Sequence, residues 1–213
     1  MGTYNKGILG AFSGKVGTVV GANWRGKDVM RSLPKKTGRI ATDKQEMQRL
    51  RFRTVANFLH DLRPVMGRYY GIAMGDKSKN NLATSYHMKE ALVQIDDSVE
   101  ILLNRVQITR GVLLGLQTPA VAAEAGGILK FSWTDNSGQG TAKATDRLLV
   151  AVYDPIIDKF ETMEKVALRS ALSASVTLPA PFVGSQVHCW ASFVSEDDRL
   201  YSTSVYLGEI EAV

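Results

Sequence analysis

Four closely spaced glycines, Gly7, Gly10, Gly14 and Gly17, with Lys15 directly after the third, are where phosphate chemistry would first be sought in this chain. A phosphate-cradling loop needs glycines at a fixed interval, followed by lysine and a hydroxyl residue that reaches magnesium. Gly10-Ala-Phe-Ser-Gly-Lys-Val has the wrong interval, and Val16 stands where the hydroxyl is needed. A dinucleotide fingerprint would open a helix, and no helical pattern follows. The glycines therefore read as hairpin and bulge positions. His60, His87 and His188 lie far apart, and none has a second ligand at a metal-binding interval. Cys189 has His188 beside it, but neighbours on a strand point to opposite faces and cannot act as a nucleophile–base pair. Glu196-Asp197-Asp198 lacks the alternating oxygens and glycine of a calcium loop and reads as a turn. Asp135, Asn136 and Asp146 are the one oxygen set that could meet at an end of a sandwich and hold a cation. No catalytic constellation emerges, and the chain reads as non-enzymatic, with no cofactor and no metal.

Positive charge is the strongest usable signal. The net charge is +5, but residues 1–110 carry 19 Lys+Arg against 9 Asp+Glu, and residues 111–213 carry 7 against 12. Such asymmetry suggests two units with different partners. Lys15, Arg25, Lys27, Arg31, Lys35, Lys36 and Arg39, then Arg49, Arg51 and Arg53, form a cationic series with Trp24 interleaved. Arginine and lysine pair with phosphate, and aromatic rings stack on bases. These residues are the candidate polyanion-binding or subunit-contact set; the plainer alternative is a solvated surface.

The elements that must position these residues are of two textures. Ile8 to Leu33, rich in glycine and β-branched residues, reads as two or three short strands. Turns are expected at Ser13-Gly14-Lys15 and Arg25-Gly26-Lys27. Thr42 with Gln45 three residues on gives a capping box. Met47, Leu50, Val55, Phe58, Leu59, Leu62 and Met66 recur at helical spacing, so one helix is expected up to Gly67, kinked or shortened by Pro64. A second helix is expected over Asn81 to Ile95. From Gly111 the pattern turns to β. Leu129, Phe131 and Trp133 alternate with polar residues, and Leu148 to Tyr153 is a buried-type run. With Val112–Leu116, Phe160–Met163, Ser173–Leu178, Val187–Val194 and Leu200–Leu207 there are about seven strands. Gln117 to Gly127 reads as a linker or a sandwich edge. The expected fold is α+β: an N-terminal β-hairpin and helix unit over residues 1–110, then an all-β immunoglobulin-like sandwich over 111–213. The single cysteine excludes the inter-sheet disulfide of antibody domains, which favours a fibronectin-III-like variant.

Several blocks carry a resemblance. Gly7-Ile-Leu-Gly-Ala-Phe-Ser-Gly-Lys-Val-Gly-Thr-Val-Val-Gly, Trp24, Arg31-Ser-Leu-Pro-Lys-Lys, Thr42-Asp-Lys-Gln, Phe131-Ser-Trp-Thr-Asp-Asn-Ser-Gly, Ala144-Thr-Asp-Arg and Ser204-Val-Tyr-Leu-Gly together resemble an uncharacterised bacterial family of unknown function. The order of Gly14, Gly17, Arg31, Pro34, Thr42, Gln45, Arg49 and Phe52 is similar to small proteins of phage-like gene clusters, some of which end in an immunoglobulin-like domain. That resemblance implies a particle or filament component.

No apolar run approaches a membrane span. The apolar stretch near Met1 is cut by glycines, so no signal peptide is expected and synthesis in the cytoplasm is, with a virion or released particle as a later location. The expected function is a structural or assembly protein that forms a homo-oligomer or binds assembly partners through its N-terminal half. The alternatives are nucleic-acid binding by the basic half and adhesion or carbohydrate binding by the sandwich.

Overall fold

The structure, a computed structural model, describes residues 2–4, 10–24, 26–35, 40–73, 75 and 77–213, with Gly2 and Tyr4 in backbone only. The chain forms two compact units, Met1–Thr42 and Asp43–Val213.

The first unit is a four-stranded antiparallel meander: β1 (Gly2–Tyr4), β2 (Phe12–Val16), β3 (Val19–Trp24) and β4 (Lys27–Ser32). The turn between β3 and β4 stands where it was expected, with Gly26 at φ +78° and its N–H donated to the Asn23 side-chain oxygen at 3.1 Å. The first turn does not. Ser13, Gly14 and Lys15 lie inside β2, and the chain reverses at Gly17-Thr18, where Gly17 takes φ +59° and Val16 pairs with Val19. Gly7, Ile8 and the rest of 5–9 lie outside the described residues.

The second unit opens with α1 (Asp43–Phe58), α2 (Arg63–Tyr69) and α3 (Lys79–Glu90). The single helix expected up to Gly67 is two. Pro64 lacks the N–H that a helix interior needs, so it sits in the first turn of a new helix, which runs past Gly67 to Tyr69. Ser78 caps α3, its hydroxyl accepting from the Asn81 N–H at 3.2 Å. The helix ends at Glu90 rather than Ile95. Leu92-Val-Gln-Ile instead forms β5 (Leu92–Ile95), paired with β6 (Ser98–Ile101) across a turn where Asp96 takes φ +50°.

Two further antiparallel sheets follow. β11 (Ser173–Thr177), β8 (Ile128–Thr134) and β7 (Gln117–Glu124) form one, in that order. β10 (Lys159–Met163), β9 (Arg147–Asp154), β12 (Gln186–Val194) and β13 (Val205–Glu211) form the other. The expected strand at Val112–Leu116 is not one; Leu113 makes only an isolated bridge to Ser202. Gln117 onward is the edge strand β7, not a linker.

The centre of this unit is the pair β9–β12, which is buried on both faces. Leu148, Val150 and Val152, with Val187, Cys189, Ala191 and Phe193, face the three-stranded sheet and meet Leu129, Phe131, Trp133 and Val176. Leu149, Ala151, Tyr153, Trp190 and Val194 face the other way and meet Val55, Phe58, Leu62, Met66 and Tyr69 of the helical segment. Phe58 stands edge-on to Tyr153 and Phe160, at 5.2 and 5.0 Å between ring centres. The helices thus share a core with the large sheet. The boundary expected at residues 110/111 falls inside one compact unit, and the division observed is at 42/43.

A unit built this way should unfold in one transition. Phe58→Ala on the helical side and Phe131→Ala between the sheets should each lower the stability of that transition by about 3–5 kcal/mol, read in urea by circular dichroism and tryptophan fluorescence together. An early transition confined to helical signal in the Phe58 variant would contradict the shared core.

Candidate functional site

Strand register sorts the side chains of the first unit onto two faces. Lys15 pairs with Val20, and Val20 with Arg31; Ala22 pairs with Val29, and Trp24 with Lys27. Cross-strand partners share a face and alternate residues share a face, so Lys15, Trp24, Lys27 and Arg31 project from the same side. On the other side stand Val16, Val19, Gly21 and Met30, with Asn23, Asp28 and Ser32 among them, while Val20, Ala22 and Val29 share the cationic side. Phe12 lies there too, because its ring covers Gly21 so closely that a Cβ at Gly21 would come within 2.8 Å of it and 2.2 Å of the Phe12 carbonyl. Met30 is 69% exposed and Val16 48%. Among the described residues of this unit only Gly21 is buried.

The charge follows the same division of the chain. Residues 1–42 hold eight Lys and Arg and one acidic residue, Asp28, a net of +7. Residues 43–213 hold 18 and 20, a net of −2. Lys35 is exposed. Arg25, Lys36 and Arg39 lie outside the described residues.

The remaining candidates belong to α1, in the other compact unit, and they are not one cationic strip. Arg49 and Arg53, one turn apart, are exposed beside Phe52. Arg51 is turned inward, donating to the Met88 carbonyl near the end of α3 at 3.2 Å, so it joins two helices.

Cys189 and His87 are buried, whereas His60 and Asp197 are exposed. Cys189 is fully buried between the sheets, and burial pushes its thiol up to about 12, well away from a reactive thiolate. His188 lies on the opposite face, its Nδ1 at 2.8 Å from the Tyr206 hydroxyl. His60 is exposed beside Asp61. His87 is buried with both ring nitrogens engaged: Nδ1 lies 2.8 Å from the Ala83 carbonyl, and the Gln107 N–H donates to Nε2 at 3.3 Å. That pattern fixes a neutral imidazole with the proton on Nδ1, and burial lowers its pKa to about 4. Asp197 serves the turn, accepting from the Ser195 hydroxyl at 2.6 Å and the Arg199 N–H at 3.2 Å. Among the described residues no group of three or more His, Cys, Asp and Glu converges as a metal site.

Asn136 and Asp146 do meet, but around the guanidinium of Arg169, a residue with no mark in the sequence. Arg169 is wholly buried and donates to Asp146 through Nε at 3.1 Å and Nη2 at 3.0 Å. It also reaches the Asn136 side-chain oxygen and the Leu114 and Gly115 carbonyls, and lies over the Phe193 ring at 3.9 Å. Its own carbonyl accepts from the Trp133 indole at 2.7 Å. Two of the three oxygen residues expected to hold a cation thus hold one supplied by the chain, and fasten one end of the sandwich; the third, Asp135, is exposed and accepts from the Ser137 N–H at 2.9 Å.

A family model described as "Family of unknown function (DUF6266)" matches residues 11–208. A solved structure described as the fn3 domain of human collagen alpha-1(XX) chain is similar at 14% identity, over 47% of this chain and 86% of that one, with a TM-score of 0.34. No curated protein matches. No helix among the described residues is long and apolar enough to cross a membrane.

Two outcomes are expected. Asp146→Ala should cost about 3–5 kcal/mol, because it leaves a buried guanidinium without its carboxylate; a near-neutral effect in chemical denaturation would contradict that role. His87 takes its proton near 6.5 in the unfolded chain but only near 4 when folded. Between those values the unfolded chain binds more protons, so stability should fall as pH drops from about 6.5 towards 4, by about 3 kcal/mol at most, and level off below. His87→Gln should remove that part of the pH dependence, and identical pH profiles for the two proteins would refute it.

Proposed function

We propose that this chain, which belongs to that family of unknown function, is a non-enzymatic assembly protein whose first 42 residues are its association element. The observation that carries the reading is the poverty of burial in that unit. A four-stranded sheet needs a covered apolar face to offset the entropy of ordering its backbone, and here only Gly21 is buried among the described residues. Val16 and Met30 stand exposed on the apolar face, and every residue of β4, an edge of the sheet, is exposed. A second copy of the same sheet is a self-complementary cover. Burying Met30 there would contribute about 1.5–3 kcal/mol. An edge strand also accepts a neighbour's strand through its backbone.

We read the three-plus-four sandwich as a fibronectin-III-like module carried by the assembled protein; its one cysteine, Cys189, is free and buried, so it lacks the inter-sheet disulfide of antibody domains. The similarity of Gly14, Gly17, Arg31, Pro34, Thr42, Gln45, Arg49 and Phe52 to small proteins of phage-like gene clusters favours a particle or filament as the setting.

Light scattering of the purified protein at low and high salt tests this. The expected result is a defined oligomer that persists at high salt, because apolar and strand contacts survive screening. Met30→Glu and Val16→Glu should each shift the population to smaller species with the far-ultraviolet spectrum unchanged. A monomer at both salt concentrations would refute the proposal.

A further inference from the structure

From the other face of the same sheet we infer a binding site for single-stranded nucleic acid, with Lys15, Lys27 and Arg31 neutralising phosphates and Trp24 stacking on a base. This does not rest on the assembly reading, which uses the opposite face. The first support is the sorting itself. In β2, β3 and β4 every described cation projects from the face of Trp24, and the one acidic residue, Asp28, projects from the face of Met30. A solvated surface has no need to separate them. The second is concentration: the 42-residue unit carries +7 while the remainder of the chain is close to neutral. A field of that density on a small element attracts polyanions at long range.

The third support is geometry. Lys15 and Arg31 are aligned through Val20, two strands apart, about 10 Å at the usual strand spacing. Lys27 lies four residues from Arg31 along β4, about 13 Å at the rise of a strand. With side chains of this length, the three ammonium and guanidinium groups can follow a flexible phosphate backbone across the sheet. Trp24 is directly opposite Lys27 and 48% exposed, whereas Trp133 and Trp190 are buried. A half-exposed indole among cations is the arrangement that takes a base on its ring face while neighbouring phosphates are neutralised. The bases of a duplex are already stacked and would not use it. Readout through phosphates and one ring face discriminates little between sequences.

The test is fluorescence anisotropy of a labelled oligothymidine with the full-length protein, with tryptophan emission recorded in parallel. Binding is expected at low salt, weakening as salt rises with a log–log slope of about −2, three phosphate contacts at about 0.7 each. Trp24 emission should quench on binding, and Trp24→Ala should abolish the quench. The triple variant Lys15→Gln, Lys27→Gln, Arg31→Gln should weaken binding by tenfold or more and flatten the slope. These side chains are exposed, and an unchanged circular dichroism spectrum establishes that the variant is folded. Trp24→Phe should keep most of the affinity that Trp24→Ala loses. Met30→Glu, on the opposite face, should leave oligonucleotide affinity within a few fold whatever it does to association. Three results would overturn the site: no binding at low salt, full affinity in the triple variant, or equal binding of dextran sulfate with equal quench. The last would mark a general polyanion surface.

Discussion

Strands β9 and β12 have no wet face, and the second unit is organised around that fact. A sheet in water is normally covered once; here the sandwich core lies on one side and the helical segment on the other. Every residue from Leu148 to Asp154, and from Cys189 to Ser195, is therefore buried, and consecutive side chains serve different cores. The cost of such a sheet is that neither cover can be left off. Without the helices, Leu149, Tyr153 and Trp190 would face water; without the small sheet, Val150, Val152 and Phe193 would. Arg169 closes the end of the same construction, using Asp146, Asn136 and two main-chain carbonyls to satisfy a charge that burial alone would forbid.

The first unit is built on the opposite principle. It has strands, register and turn glycines in proper positions, yet little interior. Its order comes from local pairing and from the Phe12 ring laid on Gly21, where no side chain larger than hydrogen fits. What it offers is two unlike faces, one with Val16, Val19 and Met30 beside Asp28, the other with Lys15, Lys27, Arg31 and the Trp24 indole. On the readings proposed for its two faces, a second copy of the sheet and a nucleic acid would not compete for the same residues.

Much of this was legible in the residues, and the gaps have physical causes. The alternation at Leu129, Phe131 and Trp133 located β8, and the uninterrupted run Leu148–Tyr153 located β9. Yet that run lacks alternation because both its faces are covered, and this was the available signal that the helices belong to the sandwich. The charge asymmetry is visible in the residues, but a boundary at 110 averages the strongly basic first 42 residues with a much less basic helical segment. Arg49, Arg51 and Arg53 alternate in sequence, but on a helix positions 49 and 53 share a face while position 51 turns inward. The β5–β6 hairpin was hidden by helical spacing that continues past Glu90, and the Asp96-Asp97 turn was its only mark. Arg169 was invisible because one arginine between Leu168 and Ser170 carries no pattern; only the meeting of Trp133, Asn136 and Asp146 in space reveals it. The gathering of Lys15, Trp24, Lys27 and Arg31 on one face follows from register, which depends on turn positions, and the chain reverses at Gly17-Thr18 rather than at Ser13-Gly14-Lys15.

The shared core also imposes an order of events at synthesis. The apolar stripe of α1 and α2 finds its cover on β9 and β12, which end at Asp154 and Val194. At a ribosomal rate of about 5–20 residues per second, roughly a hundred residues of delay leaves that stripe unsatisfied for about 5–20 seconds. The nascent helices, already made, wait through that interval for a partner not yet translated. The four-stranded unit, whose 42 residues carry a net charge of +7, is translated before them. The chain thus depends on its last third to cover helices made in its first third, and on its surroundings to tolerate the interval.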